Sequence, residues 1–155
     1  MTGDAAILPL LNELLTNELT AINQYLIHSK LCAHWGYTRL AEKLREESLD
    51  ELSHAEAIIA RILFLEGEPN LARYHELGAG QTVREQLEDD LKLELAAIVT
   101  LNSGIGAART AKDNATEDLM TRILVAEEQG IDWIETQLEL IRQVGEQNYL
   151  AQQLK

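Results

Sequence analysis

Apolar residues recur at spacings of three and four along most of the chain, the pattern of amphipathic α-helices. The first run predicts a helix from about Asp4 to His34, with Ile7, Leu11, Leu15, Glu18, Ile22 and Tyr25 on one stripe and Trp35-Gly36 as its end. The second predicts a helix from about Thr38 to Glu66, stopped by Gly67 and Pro69. Its stripe is Leu40, Leu44, Glu47, Glu51, His54, Ile58, Ile62 and Leu65. The third starts near Thr82, which forms a Thr-x-x-Glu capping box with Glu85, and ends near Lys112. Leu87, Leu91, Glu94, Ile98, Leu101 and Ile105 form its stripe, and Gly104 and Gly106 weaken its later part. The fourth starts around Asn114 or Thr116, where Glu117 and Asp118 suit the positive end of the helix dipole. It carries Met120, Ile123, Glu127, Gly130, Ile134, Gln137 and Ile141 inward and ends at Gly145. Residues Gln147 to about Gln153 predict a short fifth helix. The longest connection, from about Gly67 to Gln81, is long enough to cross a bundle. The predicted fold is all-α: a four-helix bundle with a long crossover between helices 2 and 3 and a short C-terminal helix. No repeat, low-complexity tract or linker divides residues 1–155, so one domain is expected.

Four carboxylates interrupt these stripes. Glu18, Glu51, Glu94 and Glu127 fall one to a helix, and His54 follows Glu51 by three residues on the same face. A buried carboxylate is costly unless paired or metal-bound, and four together repel one another. A single glutamate on a stripe is ordinarily a boundary residue, and a lone histidine a hydrogen-bonded core residue. Four coincident glutamates with a Glu-x-x-His pair instead match the ligand set of a di-iron carboxylate bundle, in which a second such pair completes the site. Here the second frame, Glu127-Glu128-Gln129-Gly130, ends in glycine. The charge balance survives: two divalent cations match four carboxylates, and histidine ligates as a neutral group. Oxygen donors with imidazole suit iron or manganese, whereas a structural zinc site favours thiolate.

Composition narrows the function further. The formal net charge is −13, which opposes nucleic-acid binding and favours metal cations. Two prolines and 5% aromatic residues favour helices over sheets. Cys32, the one cysteine, permits no intramolecular disulfide and suits a reducing compartment. No basic region precedes an apolar run at the N-terminus, and no stretch approaches the roughly 18 uncharged apolar residues of a transmembrane helix. A cytoplasmic protein without a membrane partner is expected.

The remaining candidates are weaker. Tyr25 lies two turns after Glu18 and is placed to hydrogen-bond a ligand carboxylate or pass electrons. Glu47 is one turn from Glu51, and Glu46 and Asp50 stand four apart on an adjacent face; solvated charge is their simplest role, transient iron binding the alternative. His28, His34 and His75 have no evident partner. Cys32 fits an inert packed thiol, and Trp35 and Trp133 packing residues. Glycine at 130 also gives the backbone freedom, and a local bulge there is one way to turn Gln129 or Glu128 inward as a substitute ligand.

At these residues the chain resembles the bacterioferritins, within the ferritin-like family. Asn17-Glu18-Leu19-Thr20-Ala21-Ile22-Asn23-Gln24-Tyr25 is similar to the first-helix motif. Arg61-Ile62-Leu63-Phe64-Leu65-Glu66-Gly67-Glu68-Pro69-Asn70-Leu71 is similar to the end of the second helix, and Ile131-Asp132-Trp133-Ile134-Glu135 and Gln147-Asn148-Tyr149-Leu150 to the last two. The resemblance spans nearly the whole chain. It implies a hollow shell of twenty-four subunits storing ferric mineral, with a di-iron ferroxidase centre inside each bundle. It implies Glu18, Glu51, His54, Glu94 and Glu127 as ligands, with Glu51 and Glu127 bridging, and an electron-donating ferredoxin as partner. It also implies haem between two subunits, held by a methionine from each; this chain has Leu52 at that position and so lacks the haem ligand. The missing histidine of the di-iron site falls at Gly130. One iron keeps Glu18, His54 and the bridges; the other keeps Glu94 and the bridges, with water as one way to fill the gap.

The function expected is iron storage: binding Fe2+, oxidising it with O2 or H2O2, and depositing Fe3+ in the shell, through an asymmetric, slow or metal-poor centre. One alternative is a subunit that co-assembles with another bacterioferritin chain supplying haem and full oxidase activity. The other is a di-iron or di-manganese oxidase or peroxidase not used for storage.

Overall fold

A computed structural model describes residues 1–155. The helices are α1 (Ile7–Trp35), α2 (Thr38–Phe64), α3 (Val83–Thr110), α4 (Asn114–Val144) and α5 (Glu146–Ala151). The four-helix bundle, the crossover and the short last helix agree with the periodicity. α1 and α2 form one antiparallel hairpin and α3 and α4 the other, with α1 packed on α3. The hairpins' turns are set locally. Gly36 ends α1 at φ 90°, the left-handed conformation that glycine adopts without a Cβ penalty, and Tyr37 N donates to Cys32 O (2.9 Å). Thr82 and Glu85 form the full capping box at the start of α3.

Several boundaries differ from the expectation. α1 begins at Ile7 rather than Asp4, because the Asp4 carboxylate accepts from Ala6 N (2.8 Å) and serves the helix entrance from outside. α2 closes at Phe64, two residues early, and Glu66 takes the left-handed turn (φ 60°) ahead of Gly67. α3 ends at Thr110. α4 starts at Asn114, the earlier of the two expected starts, because Asp113 caps it, accepting from Thr116 N (3.1 Å). Arg61, from the end of α2, donates to both Asp113 (2.7 Å) and Thr116 Oγ1 (2.8 Å). Although partial burial raises it, hydrogen bonds from Thr116 and Arg61 hold the Asp113 carboxyl below its ordinary value.

Two further readings are refined by the packing. Gly104 does not merely weaken α3: a Cβ there would stand 2.5 Å from Met120 Sδ, so glycine lets α4 approach. α3 is also more apolar than expected, long and apolar enough by composition to cross a membrane. It is instead a bundle helix, burying Leu87, Ala97, Leu101 and Ala108 and carrying Glu94 on the same inner face.

The apolar core is divided in two. Ile7, Leu11, Leu14, Leu15, Ile58, Ile62, Leu101, Met120 and Ile123 fill one end. Tyr25, Leu40, Leu44, Leu87, Ile134, Ile141 and Tyr149 fill the other. Glu18, Glu51, Glu94 and Glu127 lie between these two sets on their helices, at 1%, 3%, 3% and 2% exposure.

The crossover, residues 65–82, returns along α1 in the same direction, so α3 enters parallel to α2. Polar side chains of α1 hold it. Asn12 Oδ1 accepts from Asn70 N (2.8 Å), Thr20 Oγ1 from His75 N (3.0 Å), Gln24 Oε1 from Gly78 N (3.0 Å) and His28 Nε2 from Gly80 N (3.2 Å). These residues recur every four or eight positions on a second face of α1. They satisfy the backbone of a loop that would otherwise bury unpaired donors.

Candidate metal centre

Each helix delivers one carboxylate to mid-bundle because the glutamates occupy stripe positions among leucines and isoleucines that must face inward. Glu18, Glu51, His54 and Glu127 each offer a ligand atom within 4.8 Å of the others. His54 Nδ1 lies 3.1 Å from Glu127 Oε1, 3.4 Å from Glu18 Oε2 and 3.8 Å from Glu51 Oε2. Yet Glu18 Oε2, His54 Nδ1 and Glu127 Oε1 are buried without a hydrogen bond: they are close but not aligned on one another. Ligand atoms that converge on common space without hydrogen-bonding one another suit a shared cation. Glu94 stands outside that group and accepts from Tyr25 Oη (2.6 Å), itself 1% exposed.

The electrostatics describe a site short of positive charge. Burial raises the pKa of Glu18, reinforced by Glu127 and eased by Glu51 and His54. Burial and the neighbouring Glu18 push Glu51 well above the carboxylate range, and burial and Glu127 do the same to Glu94. Burial disfavours the charged form of His54, but Glu127, Glu18 and Glu51 outweigh it and push the imidazole up to about 12. Tyr25 is raised by burial and by Glu94, so its phenol keeps its proton and donates. In the metal-free chain, protons occupy the place of cations. The donor set of four carboxylates and one imidazole, with its unpaired lone pairs, fits divalent metal.

The glycine at 130 leaves a gap. α4 runs as unbroken α-helix past it, so no bulge turns Gln129 or Glu128 inward, and both side chains are exposed. A Cβ on Gly130 would meet only Glu47 Oε2, at 4.0 Å. A cavity of about 250 Å³ opens there between α2 and α4, reaching Glu51 and His54 from outside. Of the other acidic candidates, Glu47 is half-buried and ion-paired to Lys43, while Glu46 and Asp50 are exposed.

Two of the three histidines without an evident partner in the sequence, His28 and His75, have partners in the fold. Gly80 N donates to His28 Nε2, so the ring's proton sits on Nδ1 and is given to Asp90 Oδ1 (2.9 Å). Gln24 Nε2 donates to the same oxygen (2.8 Å). His75 Nε2 pairs with Asn17 Oδ1 (2.8 Å) beside Glu13. His34 is exposed in the last turn of α1. The one signal that could have found His28 is its register with Asn12, Thr20 and Gln24. Cys32 donates to Gln86 Oε1 (3.1 Å), and burial, with Asp90 nearby, pushes its thiol up to about 12, so it is inert. Trp133 lies under the Lys43 ammonium (5.2 Å), and Trp35 packs edge-on against Tyr37. Leu52 points out of the bundle at 42% exposure.

Comparison with known proteins agrees with this architecture. Residues 8–144 match the family model described as a ferritin-like domain. A bacterioferritin of Mycobacterium leprae is 51% identical over 152 residues, covering 98% of this chain and 96% of its own. One of Streptomyces coelicolor is 46% identical (97% and 90% covered), and one of Brucella melitensis 43% (96% and 92%). Near-complete coverage in both directions, with identity at this level, means that the chain belongs to the bacterioferritin family of ferritin-like proteins.

Proposed function

We propose that the chain is an iron-storage subunit that binds Fe2+ inside its bundle, oxidises it with O2 or H2O2 and passes Fe3+ to the cavity of a twenty-four-subunit shell. The observation that carries this reading is the convergence of buried, unpaired donor atoms from Glu18, His54 and Glu127 on one space. Glu18, His54, Glu51 and Glu127 hold one ferrous ion; Glu94, Glu51 and Glu127 hold the second, with Glu51 and Glu127 shared. Each ion gives up one electron to the oxidant. The four carboxylates stabilise the higher charge that results, and Tyr25 fixes the orientation of Glu94 by its hydrogen bond. The cavity beside Gly130 gives water, oxidant and incoming Fe2+ a way to the centre.

Assembly is supported by the outer surface. Leu26 and Ile27 of α1, Leu49 and Leu52 of α2, and Leu71, Tyr74 and Leu77 of the crossover are exposed large apolar side chains that contact between subunits would cover. Leu52 has no donor atom, so the shell formed by this chain alone holds no haem through that position. Anomalous scattering from iron-soaked crystals tests the centre: iron density beside Glu18 and beside Glu94 is expected, and none at either position sinks the reading. Size-exclusion chromatography of the untagged chain from its native cell separates the rivals. A small oligomer favours a non-storage oxidase, and a large shell containing a second chain favours division of labour between subunits.

A further inference from the structure

We propose that Glu47 supplies the ligand that position 130 lacks, giving the second metal ion an oxygen donor where an imidazole is missing. This rests on the two-metal reading above and extends it to a residue outside the five glutamate and histidine ligands. The register of the helices comes first. α2 and α4 are antiparallel: Arg61 near the end of α2 meets Asp113 at the start of α4, and Lys43 near the start of α2 meets Trp133 further along α4. One turn back from Glu51 and one turn on from Glu127 therefore arrive at the same level. Those residues are Glu47 and Gly130, while His54 lies one turn the other way.

Space comes second. The one atom within 4 Å of a Cβ at Gly130 is Glu47 Oε2. A side chain at 130 and the Glu47 carboxylate thus share one volume, and glycine leaves it to Glu47. The cavity of about 250 Å³ gives the carboxylate room to turn from its present position towards Glu51 and Glu127. Glu47 is set apart from its neighbours by burial, its side chain being 13% exposed, whereas Asp50, Glu128 and Gln129 are exposed.

Charge comes third. Glu47 now holds the Lys43 ammonium, which also lies 5.2 Å from the Trp133 ring centroid. When Glu47 turns inward, Lys43 keeps that aromatic partner and a third of its surface in water, so no cation is stranded. A carboxylate in place of a neutral imidazole also adds a negative charge to the second position, which favours the ferric over the ferrous ion there.

The test is a Co2+ titration of the whole assembled protein, read as bound metal per subunit by mass spectrometry of the eluted metal and by the Co2+ visible absorption bands. The unaltered chain is expected to bind two Co2+ per subunit. Glu47→Gln should keep the tighter ion and bind the other at least about tenfold more weakly, with Glu47→Ala behaving alike. Adding Gly130→His to Glu47→Gln should restore the second ion. Asp50→Asn, which removes a charge at the same opening, should leave the isotherm unchanged. An unchanged isotherm in both Glu47 variants overturns the proposal, as does an equal loss in Asp50→Asn, which would mark a field effect rather than ligation. A single Co2+ in the unaltered chain also overturns it, while leaving the first position standing. No Co2+ in any variant overturns the metal centre as well. Helical circular dichroism and shell size, unchanged in each variant, show that the fold is kept.

Discussion

Two buried polar layers lie within this bundle, and they are built from similar residues. One contains His28, Asp90, Gln24 and Gln86; the other contains His54, Glu18, Glu51, Glu94 and Glu127. In the first, donors meet acceptors. His28 gives its proton to Asp90 and accepts from Gly80, Gln24 bridges Asp90 and Gly78, and Gln86 bridges Cys32 and Gly80. A single atom, Asp90 Oδ2, is left over. In the second, three atoms are left over, close together but not aligned into hydrogen bonds. Apart from His54, whose side chain is 18% exposed, burial is nearly the same, so burial does not separate structure from function here. Satisfaction does: a polar layer that closes on itself fastens a loop, and one that stays open awaits a ligand.

The comparison breaks first at Asp90. Asp90→Ala leaves the His28 Nδ1–H and the Gln24 amide without partners, at about 1–3 kcal/mol each. We expect a loss of about 3 kcal/mol in denaturant-measured stability, released crossover residues in hydrogen exchange, and an unchanged Co2+ content per subunit. A fall in metal content with stability intact would reverse the assignment of the two layers.

Glu51→Gln probes the open layer from the other side. The shared carboxylate is removed and the crowding with Glu18 falls. Metal affinity should drop by more than about 100-fold, beyond the 10–100-fold typical of outer partners. The metal-free chain should become more stable, not less, because an amide needs no proton uptake to be buried beside Glu18. Destabilisation of the metal-free chain in a denaturant melt would mean that the carboxylates were already satisfied.

The two layers were unequally legible in the sequence, for a physical reason. Glu18, Glu51, Glu94 and Glu127 break apolar stripes, so periodicity on single helices exposes them, and His54 is found by its spacing from Glu51. Partners in the closed layer come from far along the chain: Asp90 from α3 and Gly80 from an irregular loop whose path no periodicity encodes. Their trace on α1 is faint, a polar residue every four or eight positions at Asn12, Thr20, Gln24 and His28. The helix count, the capping box at Thr82 and the stop at Gly36 follow from local chemistry. The role of Gly104 does not, since it depends on Met120 of a different helix. Nor does the space beside Gly130, which needs the register of α2 against α4.

pH sharpens the contrast at a smaller scale. Glu18, Glu51 and Glu94 have raised values in the folded chain, so above the ordinary carboxylate value of 4.5 the folded state holds more protons than the unfolded one. Stability then falls as pH rises. His54, pushed up to about 12, adds the same sign above its ordinary value of 6.5. The metal-free chain should lose about 1–2 kcal/mol of apparent stability between mildly acidic and mildly alkaline buffer. The Co2+-loaded chain should gain over the same range, because protons compete with the metal for the same atoms. Parallel thermal melts test this, and two curves of the same slope would mean that metal and protons do not share the site.

The smallest effect isolates the gap itself. Gly130→Ala adds a methyl group whose nearest neighbour is a carboxylate oxygen 4.0 Å away, so nothing must move to admit it. Removing a glycine from mid-helix should stabilise α4 by about 0.5–1 kcal/mol. It should leave Co2+ binding as it was, since alanine brings no donor and touches the Glu47 carboxylate only at van der Waals distance. Gly130→His should differ in kind: it gains less helical propensity than alanine but also an imidazole, and should tighten the second Co2+. The pair of variants therefore separates the backbone cost of glycine from the loss of a ligand. If alanine alone strengthens the second ion, the weakness at this position comes from a mobile helix rather than a missing donor, and the open layer is open for a different reason.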